Sequence, residues 1–128
     1  MRLLLDTHAL IWWMVEAPAL SALADAAIAD PENEVFVSAA SAWEVATKYR
    51  IGKLPEAGLL ANDFAAAVAG EGFVELSIGI RDGDGAGRLP GLHRDPFDRM
   101  LIAQALAHSL TLISNERLFD RYGVARLW

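Results

Sequence analysis

The stretch RLLLDTHALIWWMV, residues 2–15, holds the first unit of the pattern that decides the fold class. Arg2–Leu5 is a short apolar run, which predicts a buried strand. Asp6 ends this run, and an apolar helical stretch follows over Leu10–Val15. A buried strand followed closely by a helix is the repeating unit of α/β proteins.

The rest of the chain repeats this alternation of strand and helix. Further strands are predicted at Val35–Val37, Phe73–Leu76, Leu110–Ile113 and Val124–Trp128. Further helices are predicted over Ser21–Ile28, Ser38–Ile51, Asn62–Ala69 and Asp95–His108, and in a short segment that ends at Tyr122. This order predicts an α/β layer structure with a mainly parallel sheet.

The composition restricts the size, compartment and partners of the protein. With 128 residues and 54% hydrophobic content, we expect one domain over residues 1–128. The absence of cysteine excludes disulfides and thiolate metal sites and suits a reducing cytoplasm. We expect neither a signal peptide nor a membrane span, because Asp6 interrupts the first apolar run. The net charge of −6 argues mildly against a nucleic-acid partner, unless some acids are gathered into a site that a cation neutralises.

The segment that contains Gly83, Gly85 and Gly87 is predicted to be a flexible connector. Each glycine costs roughly 1 kcal/mol relative to alanine in the interior of a helix. Three of them at alternate positions therefore favour a loop or a frayed turn over a helix.

Four acids that are distant along the chain are predicted to meet at one edge of the sheet. Asp6 follows the first strand directly, and Glu116 comes three residues after the Leu110–Ile113 strand. Glu44 and Asp98 lie in the first turns of their helices. Ligands of open α/β sheets bind beyond the carboxyl ends of the strands. We therefore interpret the four acids as a candidate site.

Taken singly, each acid is better explained by helix structure than by a site. Asp6 is suited to capping the helix that begins near His8, and Glu116 to the positive end of its short helix. Glu44 completes the capping-box pattern Ser41-Ala-Trp-Glu44 and is four residues from Lys48. The sequence Asp95-Pro-Phe-Asp98 resembles a capped helix start.

Helix geometry distinguishes Asp98 from Glu44. At about 100° per residue, Asp98 lies in the middle of the predicted buried stripe of its helix, formed by Leu101, Ile102 and Ala105. The opposite, polar sector holds Arg99, Gln104 and His108. A carboxylate on a buried face requires a cation or hydrogen-bond donors. Glu44 lies off the apolar stripe of its own helix, so we expect it to line a cleft without being buried.

Four blocks of the sequence resemble PIN-domain nucleases, and among them most closely the VapC toxins of bacterial toxin–antitoxin pairs. The blocks are Leu3-Leu-Leu-Asp6-Thr7, Ser38-Ala-Ala-Ser-Ala-Trp-Glu44-Val-Ala-Thr-Lys48, His93-Arg-Asp-Pro-Phe-Asp98-Arg-Met-Leu-Ile-Ala-Gln-Ala105 and Leu112-Ile-Ser-Asn-Glu116. They occur in order over nearly the whole chain, and the third is the most specific.

The resemblance implies a doubly wound parallel sheet flanked by helices and a metal-dependent endoribonuclease activity. It also implies Mg²⁺ or Mn²⁺ in an acidic pocket, a homodimer, and a cognate antitoxin protein that covers the acidic groove. Asp6, Glu44 and Asp98 match the three core acids of the family, as catalytic residues and metal ligands. Glu116 matches a fourth such position, where relatives more often have aspartate. Thr7 and Ser114 match small polar positions suited to bonding a water on the metal.

Two other functions remain open at this point. A phosphatase with a strand-end aspartate nucleophile usually has a second acid two residues later, where this chain has His8. The other alternative is a catalytically degenerate PIN domain that only binds an antitoxin or RNA. Glu116 is the best support for degeneracy, and the three matching acids oppose it.

Overall fold

The computed structural model describes residues 1–91 and 93–128. The strands are β1 (Arg2–Leu5), β2 (Glu34–Ser38), β3 (Val74–Leu76), β4 (Thr111–Ile113) and β5 (Arg126–Leu127). The α-helices are α1 (Thr7–Met14), α2 (Ala22–Ala29), α3 (Ala39–Arg50), α4 (Gly58–Asn62), α5 (Phe64–Gly70), α6 (Ile80–Arg88) and α7 (Pro96–His108). Two 3₁₀ helices cover Pro55–Ala57 and Arg117–Tyr122. In this part of the chain no helix combines the length and the apolar character needed to cross a bilayer.

The sheet is parallel throughout, in the order β3-β2-β1-β4-β5. The chain winds outward from β1 in one direction through β2 and β3, then crosses over to β4 and β5 on the other side. Leu5 at the end of β1 pairs with Val37 and with Ile113 on its two neighbours. The prediction of a doubly wound α/β fold is confirmed. The crevice where the winding direction reverses lies between the carboxyl ends of β1 and β4.

Successive leucines of β1 supply the cores on both faces of the sheet. Leu3 and Leu5 pack with α1, α2 and the region of α4, whereas Leu4 packs with α7 and the segment around Phe119. All three leucines are fully buried. A strand covered on both faces needs a continuous apolar run, which explains the three adjacent leucines.

The glycine-rich segment is a helix, and the prediction of a flexible connector was wrong. Residues 80–88 form α6, which packs along α7, and a side chain at Gly85 would already contact Ala103. The guanidinium of Arg99 donates to the carbonyls of Ala86, Gly87 and Leu89 at the end of α6. Packing and this carbonyl cap outweigh the local cost of the glycines.

The presence of α6 also corrects the predicted polar sector of α7. Gln104, which lies in that sector, is fully buried, and it accepts a hydrogen bond from Ser38 at 2.5 Å and donates to the Ser77 carbonyl at 3.1 Å. His108 reaches Asp82 of α6 at 3.3 Å. The predicted polar sector of α7 is thus a polar seam between α6, α7 and the end of β2.

Candidate active site

The carboxyl edge of the sheet brings the four predicted acids to one small pocket. Asp6 ends β1, Glu44 lies on α3 after β2, Asp98 lies on α7 before β4, and Glu116 follows β4. The pocket has a volume of about 140 Å³. The described residues that line it are Asp6, Thr7, His8, Glu44, Lys48, Asp95, Asp98, Asn115, Glu116 and Phe119.

Asp6 is a helix cap and a buried carboxylate at the same time. Its side chain accepts a hydrogen bond from the backbone N–H of Ala9 at 2.7 Å and so caps α1. Only 8% of the residue is exposed. Burial raises the pKa of Asp6, although hydrogen bonds from Ser114 and Ala9 oppose this. The capping role therefore does not satisfy the carboxylate fully.

Glu44 is buried, which corrects the expectation that it would line a cleft without being buried. It is 4% exposed. Thr7 donates to its Oε1 atom at 2.5 Å, and the Lys48 ammonium pairs with its Oε2 atom. The capping box with Ser41 does not form, because α3 begins earlier and Ser38 caps it. Glu44 lines the pocket from beneath, with a donor on each oxygen.

Asp98 is half-buried and has one hydrogen-bonding side chain beside it. Its Oδ2 atom lies 2.9 Å from Nε2 of His93, and 27% of its side chain is exposed. The neighbouring Asp95 caps α7 through the N–H groups of Phe97 and Asp98. Burial, together with the charge of Asp95, raises the pKa of Asp98 to about 6, against a lowering by His93.

Glu116 lies at the mouth of the pocket and is the most exposed of the four acids. Its carboxylate accepts a weak bond of 3.4 Å from Leu118 at the start of the 3₁₀ helix. Its backbone N–H donates to Ser114, which is fully buried. Glu116 therefore caps the 3₁₀ helix and lines the pocket at the same time, so the two explanations are compatible.

Sequence reasoning missed two side chains of the site, Asp95 and His93, and one contact of a third, Thr7. Asp95 was interpreted as a cap only, yet it also lines the pocket and raises the pKa of Asp98. His93 lies in the third block but was assigned no role, and it contacts Asp98 at 2.9 Å. Thr7 was a predicted site residue, but its hydrogen bond to Glu44 was not predicted. The signal for Asp95 and His93 was their proximity to Asp98 in the sequence.

The chemistry of the pocket suits a hard divalent cation. Its acidic side chains offer only carboxylate oxygens, and two of them, Asp6 and Asp98, have raised pKa values that a cation would relieve. Within residues 1–91 and 93–128, no three His, Asp or Glu side chains are drawn together tightly enough to enclose an ion. Mg²⁺ keeps several waters and commonly binds through one or two carboxylates. The donor set therefore fits Mg²⁺ or Mn²⁺ without a complete protein cage.

Comparison with known families decides the classification. Residues 3–125 match the PIN domain. The chain belongs to the PIN-domain family. This PIN domain is also similar to Ribonuclease VapC16 of Mycobacterium tuberculosis, with 57% identity over 30 residues. That match spans 23% of this chain and 21% of VapC16.

Solved structures share the fold over nearly the whole PIN domain. A chain of VapBC2 from Rickettsia felis, bound to a DNA fragment from its promoter, matches with a TM-score of 0.70 and 16% identity, over 99% of this chain and 98% of that one. FitAcB from Neisseria gonorrhoeae matches with a TM-score of 0.69 and 20% identity, over 98% of this chain and 96% of that one. VapBC-1 from nontypeable Haemophilus influenzae matches with a TM-score of 0.60 and 16% identity, over 99% of this chain and 97% of that one. At these identities the likeness concerns the fold.

Proposed function

We propose that this PIN domain is a divalent-metal-dependent endoribonuclease and the toxin of a VapBC-like toxin–antitoxin pair. The observation that carries the proposal is the convergence of Asp6, Glu44, Asp98 and Glu116 on one pocket at the reversal point of the sheet. The names of a similar protein, Ribonuclease VapC16, and of the VapBC complexes support the same function.

Asp6 and Asp98 would hold the ion, with Glu44 and Glu116 as further oxygen donors at the pocket. When bound, Mg²⁺ or Mn²⁺ supplies the charge that neutralises an RNA phosphate and lowers the pKa of a water nucleophile. Thr7 fixes the Glu44 carboxylate, and His93 orients Asp98. The small volume of the pocket limits the water around these carboxylates, which strengthens their attraction for a cation.

The proposed partners are an RNA substrate, a cognate antitoxin protein and a second copy of the chain. An antitoxin that covers the acidic pocket would block RNA, and this is our proposed control of the activity. Two similar structures carry the names of VapBC complexes. Co-purification of the chain with the product of an adjacent short reading frame tests the antitoxin directly, and light scattering tests the homodimer.

A degenerate PIN domain that only binds RNA or an antitoxin is the alternative. Its support is that Glu44 and Asp98 already have side-chain partners and that no tight three-acid cluster exists among the described residues. Such a protein would bind RNA without cleaving it.

One experiment separates the two functions. The intact chain and its Asp98→Asn variant are expressed, and the ends of cellular RNAs are sequenced. The ribonuclease predicts new RNA ends with wild type and their loss with Asp98→Asn. An identical set of ends in both strains would contradict the proposed activity.

A further inference from the structure

Lys48 is a lysine directed into an acidic pocket. Five carboxylates line the pocket, from Asp6, Glu44, Asp95, Asp98 and Glu116. Among the described lining residues, Lys48 is the one with a permanent positive charge. It lies in the last turn of α3, one helical turn after Glu44. An ordinary surface lysine of an (i, i+4) pair has no such surroundings.

Two contacts hold the ammonium group in place. Lys48 pairs with Oε2 of the buried Glu44, and its Nζ atom lies 5.6 Å from the centre of the Phe97 ring. Trp43 packs edge-on against the same ring with centroids 4.8 Å apart, which fixes the ring itself. Although burial lowers it, the pKa of Lys48 is raised by the hydrogen bond and charge of Glu44, with smaller contributions from Asp95 and Asp98.

The ammonium group is held but remains accessible. The side chain of Lys48 is 28% exposed, whereas that of Glu44 is 5% exposed. An ammonium group has three donors, and Glu44 takes one of them. An RNA phosphate that reaches a pocket with five carboxylates meets repulsion nearly everywhere. Lys48 is the exception, because it offers further donors on a partly exposed side chain that lines the pocket.

From these contacts we propose that Lys48 is the phosphate-binding residue of the pocket, which Glu44 and Phe97 orient and which competes with the divalent ion for Glu44. This inference rests on the proposed function and assigns a role that the four acids do not cover. Lys48 contacts the substrate phosphate and determines how tightly RNA is held beside the ion. Glu44 acts partly through Lys48, as a positioning residue.

The competition has a measurable consequence in the absence of RNA. A divalent ion in the pocket repels the ammonium group of Lys48. Lys48→Gln removes the charge but keeps a donor for Glu44, so we expect Mn²⁺ to bind the purified variant roughly fivefold more tightly, as for a divalent ion about 8 Å from the ammonium group in water. Lys48→Arg keeps the charge and should bind Mn²⁺ as wild type does. Lys53→Gln, an exposed lysine outside the lining residues, is the matched control and should leave Mn²⁺ affinity unchanged.

The phosphate contact has a second, independent consequence. Each phosphate contact with single-stranded RNA contributes about 0.7 to the slope of log affinity against log salt concentration. At saturating Mg²⁺, the slope of log kcat/KM against log KCl should therefore be shallower by about 0.7 for Lys48→Gln. The wild-type slope should return in Lys48→Arg. A purely structural role would not change the salt dependence.

Isothermal titration with Mn²⁺ and the salt series together decide the matter. Lys48→Met provides a second neutral variant, and thermal melting establishes that each protein is folded. Tighter Mn²⁺ binding with a shallower salt slope in the neutral variants is the expected result. Wild-type Mn²⁺ affinity or a wild-type slope in folded neutral variants would overturn the role of Lys48 while leaving the ribonuclease intact. Failure of wild type itself to bind Mn²⁺ and cleave RNA would overturn the proposed function and this inference with it.

Discussion

Thr7 Oγ1 lies 2.5 Å from Oε1 of Glu44 and so links the start of α1 to α3. Both residues are buried. The same hydroxyl lies 3.1 Å from the hydroxyl of Ser41, so Thr7 of α1 contacts two polar side chains of α3 at the pocket. Thr7 therefore positions an acid of the site, in addition to lining the pocket itself.

We expect Thr7→Val to destabilise the protein by about 2 kcal/mol. The substitution keeps the shape but leaves a buried carboxylate oxygen without its donor, which is costly for a charged group. The free energy of unfolding from urea titration measures the effect. Thr47→Val, at a partly exposed threonine of α3, is the control and should change it little. A Thr7→Val protein as stable as wild type would show that the contact does not hold Glu44.

Asp98 should make the metal-free protein less stable as the pH rises. Its pKa is about 6 in the folded protein, above the usual 3.8. The folded state therefore binds the proton more tightly, and this stabilisation, complete below about pH 4, is lost as the pH rises through about 6. In chelator, the free energy of unfolding of Asp98→Asn should rise relative to that of wild type as the pH increases over this range. The difference should reach about 1 kcal/mol, a value reduced to account for the partial exposure of Asp98.

Urea titration of wild type and Asp98→Asn at several pH values measures this difference. Asp25→Asn, at an exposed acid of α2, controls for the general loss of one negative charge. If the free energies of unfolding of wild type and Asp98→Asn differ by the same amount at every pH in this range, Asp98 is a structural cap.

Glu116 should give a graded response in RNA cleavage. Glu116→Asp should keep activity, because the substitution retains a carboxylate at the pocket mouth. Glu116→Gln should lower kcat, since it removes a charge beside the proposed ion. Equal kcat in Glu116→Gln and wild type would reduce Glu116 to a helix-start residue and the site to three acids.

Arg99 should matter for stability although it lies outside the acid pocket. Arg99→Met would remove the donors to the carbonyls at the end of α6, and we expect a loss of about 2 kcal/mol in unfolding free energy. Arg94→Met, at an exposed arginine nearby, is the matched control. If both variants are as stable as wild type, the glycine-rich helix is held by packing alone.

The errors and successes of the sequence predictions have physical causes. The leucines of β1 determine a strand buried on both faces, and the parallel alternation then requires Asp6 to end at the carboxyl edge of the sheet. Local helix propensity did not predict α6. This helix is stabilised by Arg99 and by packing on α7, which are contacts between segments distant in sequence. The burial of Gln104 was not predicted for the same reason, because its partners Ser38 and Ser77 are distant in sequence. The burial of Glu44 depends on Thr7, and no periodicity in α3 reveals that contact.

Cleavage of a defined single-stranded RNA by purified protein is the most direct test of the acid pocket. Rates would be measured in Mg²⁺ and in chelator for wild type, for Asp6→Asn and for Asp25→Asn, with melting curves for each. The account predicts cleavage by wild type and Asp25→Asn in Mg²⁺ only, and none by a folded Asp6→Asn protein. Wild-type rates for Asp6→Asn, or equal rates in chelator, would contradict the assignment of the pocket as a metal-dependent ribonuclease site.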